Sequence, residues 1–319
     1  MNEPESSGRP LVWTAVRPTS SNCDELRRAL AKLGEQDQTF SVDDEDVDEQ
    51  VVIRAVSELD FENICERLAR EHGVYVQSGE PNIIYLETIR DASAVEGEFI
   101  TQSSERGHYA HVVIQIEPNP TRGSELVNET PEGAIPTKYI GPINEGIRYA
   151  LKAGVFGGYE MVDVKITLRD GSYHDTDSDE EAFETAGFMA MKDAMRRANP
   201  VLLEPLMSLE VSVPKGSSGS VISDLKFRQA EITGIESGAE KHVIHAIVRL
   251  AKIIGYATDL QSMTQGHGAY SAAFLRYGEA QGLPSGDDDG IGVTANKPWK
   301  PKPKRGAVAV EPPWPEANC

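Results

Sequence analysis

The chain has 319 residues, 39% of them hydrophobic, and 51 acidic against 31 basic side chains give it a net charge of −20. That length and apolar content suit two or three domains with cores of their own and exclude wholesale disorder. The charge excludes bulk electrostatic coating of nucleic acid, because a basic surface is the usual footprint of phosphate binding.

In chain order, residues 1–9 read as a flexible, polar, acidic N-terminus with no basic-then-apolar signal peptide. Met1 with such a leader argues mildly against a truncated piece of a longer protein, which stays an alternative. Residues 10–80 read as strand, helix, strand, strand, helix, strand. A strand at 11–16 precedes a helix at 23–33, with Asn22 as N-cap, Glu25 completing a capping box, Leu26, Ala29, Leu30 and Leu33 on one face, and Gly34 ending it. Strands at 40–42 and 50–55 follow, around an acidic turn at 43–49. A second helix starts after Ser57, buries Phe61, Ile64, Cys65 and Leu68, and stops at Gly73, before a strand at 74–77. This order predicts a ferredoxin-like sandwich.

Residues 81–202 are different. Long strands at 111–118 and 162–169 mix with helices at 138–153 and 180–198. The first order then returns over 203–279: strand 207–213, helix 217–227, a hairpin of 231–236 with 241–249 across Ser237 and Gly238, helix 250–264, and strand 269–277. The fold class expected is α+β, two ferredoxin-like βαββαβ domains flanking a distinct α/β domain. Residues 280–319 lose periodicity and read as a disordered tail holding a basic, proline-stiffened stretch from Lys297 to Arg305. The tail reads as a solubilising linker, with RNA tracking as the alternative.

Three stretches carry a resemblance: EGEFITQSSERGHYAHVV at 96–113, GGYEMVDVKITLRDGSYHDTDS at 157–178 leading to Pro200 and Pro205, and GYATDLQSMTQGHGAY at 255–270. In this order and separation they resemble translation elongation factor G, over roughly Pro10 to Gly278. At 55–61, AVSELDF stands where the family has G-M-G-E-L-H-L. The resemblance implies domain III at 10–80, a ribosomal-protein-like domain IV at 81–202, and a ferredoxin-like domain V at 203–279. It further implies that domain IV reaches the decoding site, where it meets the tRNA–mRNA pair, and that domain V meets large-subunit ribosomal RNA.

Carried onto these residues, the resemblance makes Ser172, Tyr173, His174 and Asp175 one tip loop of domain IV. Ser103, Ser104, Glu105, Arg106, Gly107 and His108 make the other. An exposed imidazole at His174 can donate to phosphate or ribose and stack on a base. The plainer reading is a surface loop in which Asp175, Asp177 and Ser178 solvate and cap the next helix. The family typically has S-G-G-R-G-Q where this chain has SSERGH. Ser104 and Glu105 remove the freedom of two glycines. They also add a carboxylate that, about 5 Å from a phosphate, opposes contact by roughly 1–3 kcal/mol, which Arg106 offsets. The implied large-subunit RNA contacts are Arg228, Asp259, Gln261, Gln265 and His267, with Gln261 and His267 standing where the family has arginines. Glutamine lacks arginine's bidentate grip on phosphate. Asp259, Gln261 and Gln265 read equally as a solvated helix face.

Other chemistry finds no pattern. His108 and His111 lack further ligands for a metal. Ser172, His174 and Asp175 are neighbours in one loop rather than a converging triad. KGSSGS at 215–220 is no phosphate loop, and G-x-x-x-x-G-K-[ST] occurs nowhere in the chain. Cys23, Cys65 and Cys319 form no CxxC pair, so a reduced, cytoplasmic protein is expected. The apolar-rich stretches at 112–116 and 202–207 are far too short to cross a bilayer and are interrupted by Gln115 and Glu204. No catalytic residue, metal or cofactor is therefore expected, GTP being relevant only through a missing or separate GTPase domain. The expected function is a ribosome-binding, elongation- and translocation-related protein that is not itself an enzyme. The alternatives are a non-ribosomal interaction module, or one half of a split factor whose GTPase is another chain.

Overall fold

A computed structural model of the chain describes residues 9–19, 22–37, 39–43, 50–102 and 107–282. They form two compact units, one combining the segments up to Thr88 and from Val201, the other spanning Ile89–Pro200. The turn expected at 43–49 and the tail from 283 lie outside the described residues, apart from Asp43. No helix among the described residues is long and apolar enough to cross a membrane.

The first segment runs β1 (Val12–Pro18), α1 (Cys23–Gly34), β2 (Phe40–Val42), β3 (Val51–Ala55), α2 (Glu58–His72), β4 (Val76–Ser78) and β5 (Asn82–Ile83), with β6 (Leu86–Ile89) following. Its antiparallel sheet has the order β2-β3-β1-β4, with β5 also on β1, which is the ferredoxin-like arrangement. Asn22 caps α1 by accepting from the Glu25 N–H at 2.8 Å. The apolar stripe Leu26, Ala29, Leu30 and Leu33 is fully buried. Gly34 does not end the helix by a left-handed turn; it stays helical and Glu35, in right-handed conformation, is the cap. Gly73 does end α2, at φ 66, where a side chain would be strained.

The unit's second segment runs β12 (Pro200–Pro214), α5 (Ser218–Phe227), β13 (Glu231–Ser237), β14 (Lys241–Arg249), α6 (Tyr256–Thr264) and β15 (Ala269–Glu279). Its antiparallel pairings give β15-β12-β14-β13, the same ferredoxin-like order. The helix expected over 250–264 is broken. A 3₁₀ turn at Leu250–Lys252 precedes Gly255 at φ 70, and only then does α6 begin. Gly255 adopts the left-handed conformation that stops helix propagation. The two sheets of this unit share one apolar cluster, from Leu11 and Leu26 to Val211 and Leu260.

The Ile89–Pro200 unit contains β7 (Ser93–Gln102), β8 (Gly107–Pro118), β9 (Glu125–Asn128), α3 (Thr137–Ala153), β10 (Glu160–Met161), β11 (Val164–Ser172) and α4 (Glu180–Arg197). Four strands form a sheet of order β7-β8-β11-β9, antiparallel except for β9 with β11. Alternation along β8 buries Ala110, Val112, Ile114 and Ile116 against the helical side, as a one-faced sheet requires. Helices α3 and α4 cross where Gly146 and Gly187 allow backbone against backbone: a Cβ on Gly146 would lie 2.0 Å from the Glu184 carbonyl oxygen. Gly97 does the same for β7, where a Cβ would meet that of Ala190 at 2.5 Å.

Candidate functional site

Both loops singled out by sequence come from one end of the four-stranded sheet. Ser103, Ser104, Glu105 and Arg106 lie outside the described residues, so only Gly107 and His108 of the hairpin loop are placed. Gly107 opens β8 opposite Gln102, and a Cβ there would approach Asp177 Cγ to 3.3 Å. His108 Nδ1 lies 2.7 Å from Asp179 Oδ2. Asp179, rather than Asp175, Asp177 or Ser178, caps α4, accepting from the Ala182 N–H at 2.9 Å. One carboxylate thus joins the start of α4 to the hairpin.

The partner loop is partly strand. β11 continues to Ser172 through a bulge between Leu168 and Asp170, which sets Ser172 opposite His111. The strand expected to end at 169 continues through Asp170 and Gly171, where nothing larger than glycine fits at 171. A Cβ on Gly171 would meet the His111 carbonyl oxygen at 2.4 Å and Ile135 Cδ1 at 2.5 Å. Ser172 is half-buried, its Oγ 2.8 Å from the Tyr109 hydroxyl and 3.4 Å from His111 Nδ1. These contacts turn Ser172 inward to the sheet's open face. There Glu96, Glu98, Tyr109, His111 and Ser172 line a shallow depression of about 470 Å³.

Tyr173, His174 and Asp175 are exposed. The His174 side chain is 63% exposed, its ring edge against Tyr109 at a centroid distance of 4.9 Å and its Nδ1 4.0 Å from Asp177 Oδ2. Its backbone is held: the His174 N–H donates to Ser178 Oγ at 2.9 Å. An imidazole that faces water on a fixed main chain can donate to a phosphate or ribose oxygen, or stack on a base, with little ordering cost. Asp170, Asp175, Asp177 and Asp179 flank it along the chain. Among the described residues no group of His, Cys, Asp and Glu is arranged to hold a metal.

The second residue set gathers around α6 in the other unit. Asp259, Gln261, Gln265 and His267 face solvent, Gln265 ending the helix at φ 52. Thr264, which sequence reasoning missed, holds the following turn, its hydroxyl donating to the Leu260 carbonyl at 2.6 Å and accepting from the Gly268 N–H at 2.8 Å. Arg228 behaves differently from the other four. Its guanidinium bonds Asp224 at 2.8 Å, Asp259 at 2.5 Å and the Lys252 carbonyl at 2.7 Å, and it lies 4.9 Å over the Tyr256 ring. Its side chain is only 16% exposed, so it fastens α5 to α6, and what it can offer a ligand is small.

Beneath it Tyr256 is fully buried, and its hydroxyl has no hydrogen-bond partner among the described residues. Burial, reinforced by the Asp224 carboxylate, pushes its phenol up to about 12. The neutral phenol is the form the fold accepts. Its contribution to stability is therefore complete below an ordinary tyrosine pKa of 10.0 and is lost as pH rises toward about 12. Tyr256→Phe removes an unpaired polar atom, and is expected to leave stability unchanged or raise it by about 1–2 kcal/mol. Thermal melts at pH 8 and pH 11 check this: the advantage of the variant should widen at the higher pH.

Family models match the chain in sequence order: Elongation Factor G, domain III over residues 8–80, Elongation factor G, domain IV over 81–199, and Elongation factor G C-terminus over 201–286. A crystal structure of a protein from Thermus thermophilus is similar to it at 33% sequence identity and a TM-score of 0.65. The match covers 88% of this chain and 42% of that one, so this chain spans less than half of that protein's length.

Proposed function

Since the chain belongs to the elongation factor G family and carries its domains III, IV and C-terminal region, we propose that it is a ribosome-binding protein of translation whose domain IV tip meets RNA of the decoding site. The observation that carries this is His174: a side chain 63% exposed, on a loop whose main chain is tied down. A hydrogen-bonding or stacking group held ready in this way suits an RNA ligand, in which bases and phosphates are presented at fixed positions. The total charge does not decide it, since a local surface meets the RNA, and here that surface sets the His174 imidazole among Asp170, Asp175, Asp177 and Asp179. Residues 103–108 and 172–175 would make the small-subunit and tRNA–mRNA contacts, and Asp259, Gln261, Gln265 and His267 those to large-subunit RNA, with Arg228 acting through its hold on α6. No nucleotide chemistry is assigned to these residues. GTP would enter through a GTPase domain elsewhere, on this protein or on a partner chain.

Purified protein pelleted with intact ribosomes tests this. Saturable binding is expected at low salt, weakening as salt rises, and His174→Ala should lower affinity about tenfold, the worth of one stacked or hydrogen-bonded contact. Absence of saturable binding at low salt would sink the reading. A second reading, an interaction module that has left the ribosome, is favoured by the four aspartates flanking His174 and by the internal commitment of Arg228. It predicts that no ribosomal fraction retains the protein.

A further inference from the structure

We infer that Ser178 and Tyr109 are positioning residues that preset the His174 imidazole for an RNA ligand, an inference that rests on the ribosome-binding reading above. Ser178 is polar yet only 6% exposed. Its hydroxyl accepts from the His174 N–H at 2.9 Å and donates to the Tyr109 carbonyl at 2.7 Å. Its own N–H donates to the His174 carbonyl at 3.2 Å, and its carbonyl accepts from the Tyr139 hydroxyl at 2.9 Å. Residues 174–178 are thereby closed on themselves and bolted to both β8 and α3.

Tyr109 supplies the other half. Its N–H donates to the Asp177 carbonyl at 2.8 Å, its hydroxyl meets Ser172 Oγ at 2.8 Å, and its ring lies at 60° to that of His174. Starting α4 does not explain these bonds, because Asp179 already caps that helix. What they restrict is the main chain of His174 on both sides and one side of its ring, while the side chain stays 63% exposed with Asp177 Oδ2 4.0 Å from its Nδ1. A side chain ordered before binding loses less freedom on contact, a gain of about 2- to 10-fold in affinity.

The test combines a spectroscopic readout with ribosome sedimentation. The His174 ring signals, assigned by their loss in His174→Ala, are followed in ¹H–¹³C spectra of the free protein. In Ser178→Ala and in Tyr109→Leu they should move toward the position of an unstructured histidine, while Tyr109→Phe, which keeps the ring, and Ser178→Thr, which keeps the hydroxyl, should hold them near the native one. On ribosomes, Ser178→Ala should weaken binding about 2- to 10-fold, and the double variant with His174→Ala should bind no more weakly than His174→Ala alone. Unmoved ring signals in both Ser178→Ala and Tyr109→Leu, or losses that add in the double variant, would overturn the inference. If Ser178→Ala does not fold, the Tyr109→Leu and Tyr109→Phe pair makes the same measurement. If the native protein does not sediment with ribosomes, the functional reading falls, and the spectra of the free protein still decide whether His174 is preset.

Discussion

Gly146→Ala is expected to destabilise the Ile89–Pro200 unit by about 3 kcal/mol or more, because it forces apart two helices whose backbones touch. The opposing effect is known in size: alanine is favoured over glycine by about 1 kcal/mol inside a helix. In α3 the contact wins. The new Cβ would stand 2.0 Å from the Glu184 carbonyl oxygen and 2.9 Å from the Phe188 nitrogen. Both are backbone atoms of α4, so no side chain can swing aside and a whole helix must shift. Gly187→Ala meets the same crossing from the other helix, its Cβ 2.7 Å from the Ile143 carbonyl oxygen.

A melting point lower by on the order of 10–20 °C would follow for a unit of this size. Segment-resolved hydrogen exchange locates the damage: protection should fall in α3, α4 and the sheet beneath them, and stay unchanged in β12, β14 and β15. Because Asp179 and Ser178 lie at the start of α4, the same substitution should also loosen the loop carrying His174. Gly219→Ala is the control, since a Cβ there meets open space, and it should be neutral or mildly stabilising.

Arg249→Met should cost the other unit about 3–5 kcal/mol, the size expected when a buried carboxylate loses its strong counter-charge. Glu204 is 4% exposed on β12. It is ion-paired with Arg249 at the end of β14, and it also accepts from the Gln281 N–H at 3.3 Å. Arg249 in turn donates to the Glu279 carbonyl at 3.0 Å. The pair therefore closes the corner where β12, β14 and β15 meet.

Removing the arginine strands the charge, whereas Glu204→Leu together with Arg249→Met replaces both partners with apolar groups and should recover much of the loss. Urea unfolding followed by hydrogen exchange in β12, β14 and β15 measures both variants. Equal losses in the single and double variants would show that shape rather than charge sets the cost.

How much of this was legible in the sequence depends on how far apart the partners lie. The α1 stripe Leu26, Ala29, Leu30 and Leu33, the caps Asn22 and Ser57, and the stop at Gly73 are all local, and the structure has them as read. Local pattern also misled. The strand expected to end at 169 runs on through Asp170 and Gly171, where the His111 carbonyl and Ile135 leave no room for a side chain at 171. The unbroken helix expected over 250–264 fails at Gly255, whose left-handed backbone divides it.

The candidate site divides in the same way. His174 was legible through its motif, but Tyr109, which holds the loop through the Ser178 hydroxyl at a separation of 69 residues, was not. The pairing of Arg228 with Asp224 is one helical turn and could be read in advance; its bond to Asp259, 31 residues away, could not. By itself, then, the sequence determined the family, the α+β order with its two ferredoxin-like repeats, and the loop that bears His174, because periodicity, caps and motifs are written in neighbouring residues. Only the tertiary structure decided which polar groups face solvent and which are spent inside, since that depends on contacts between residues far apart in the chain.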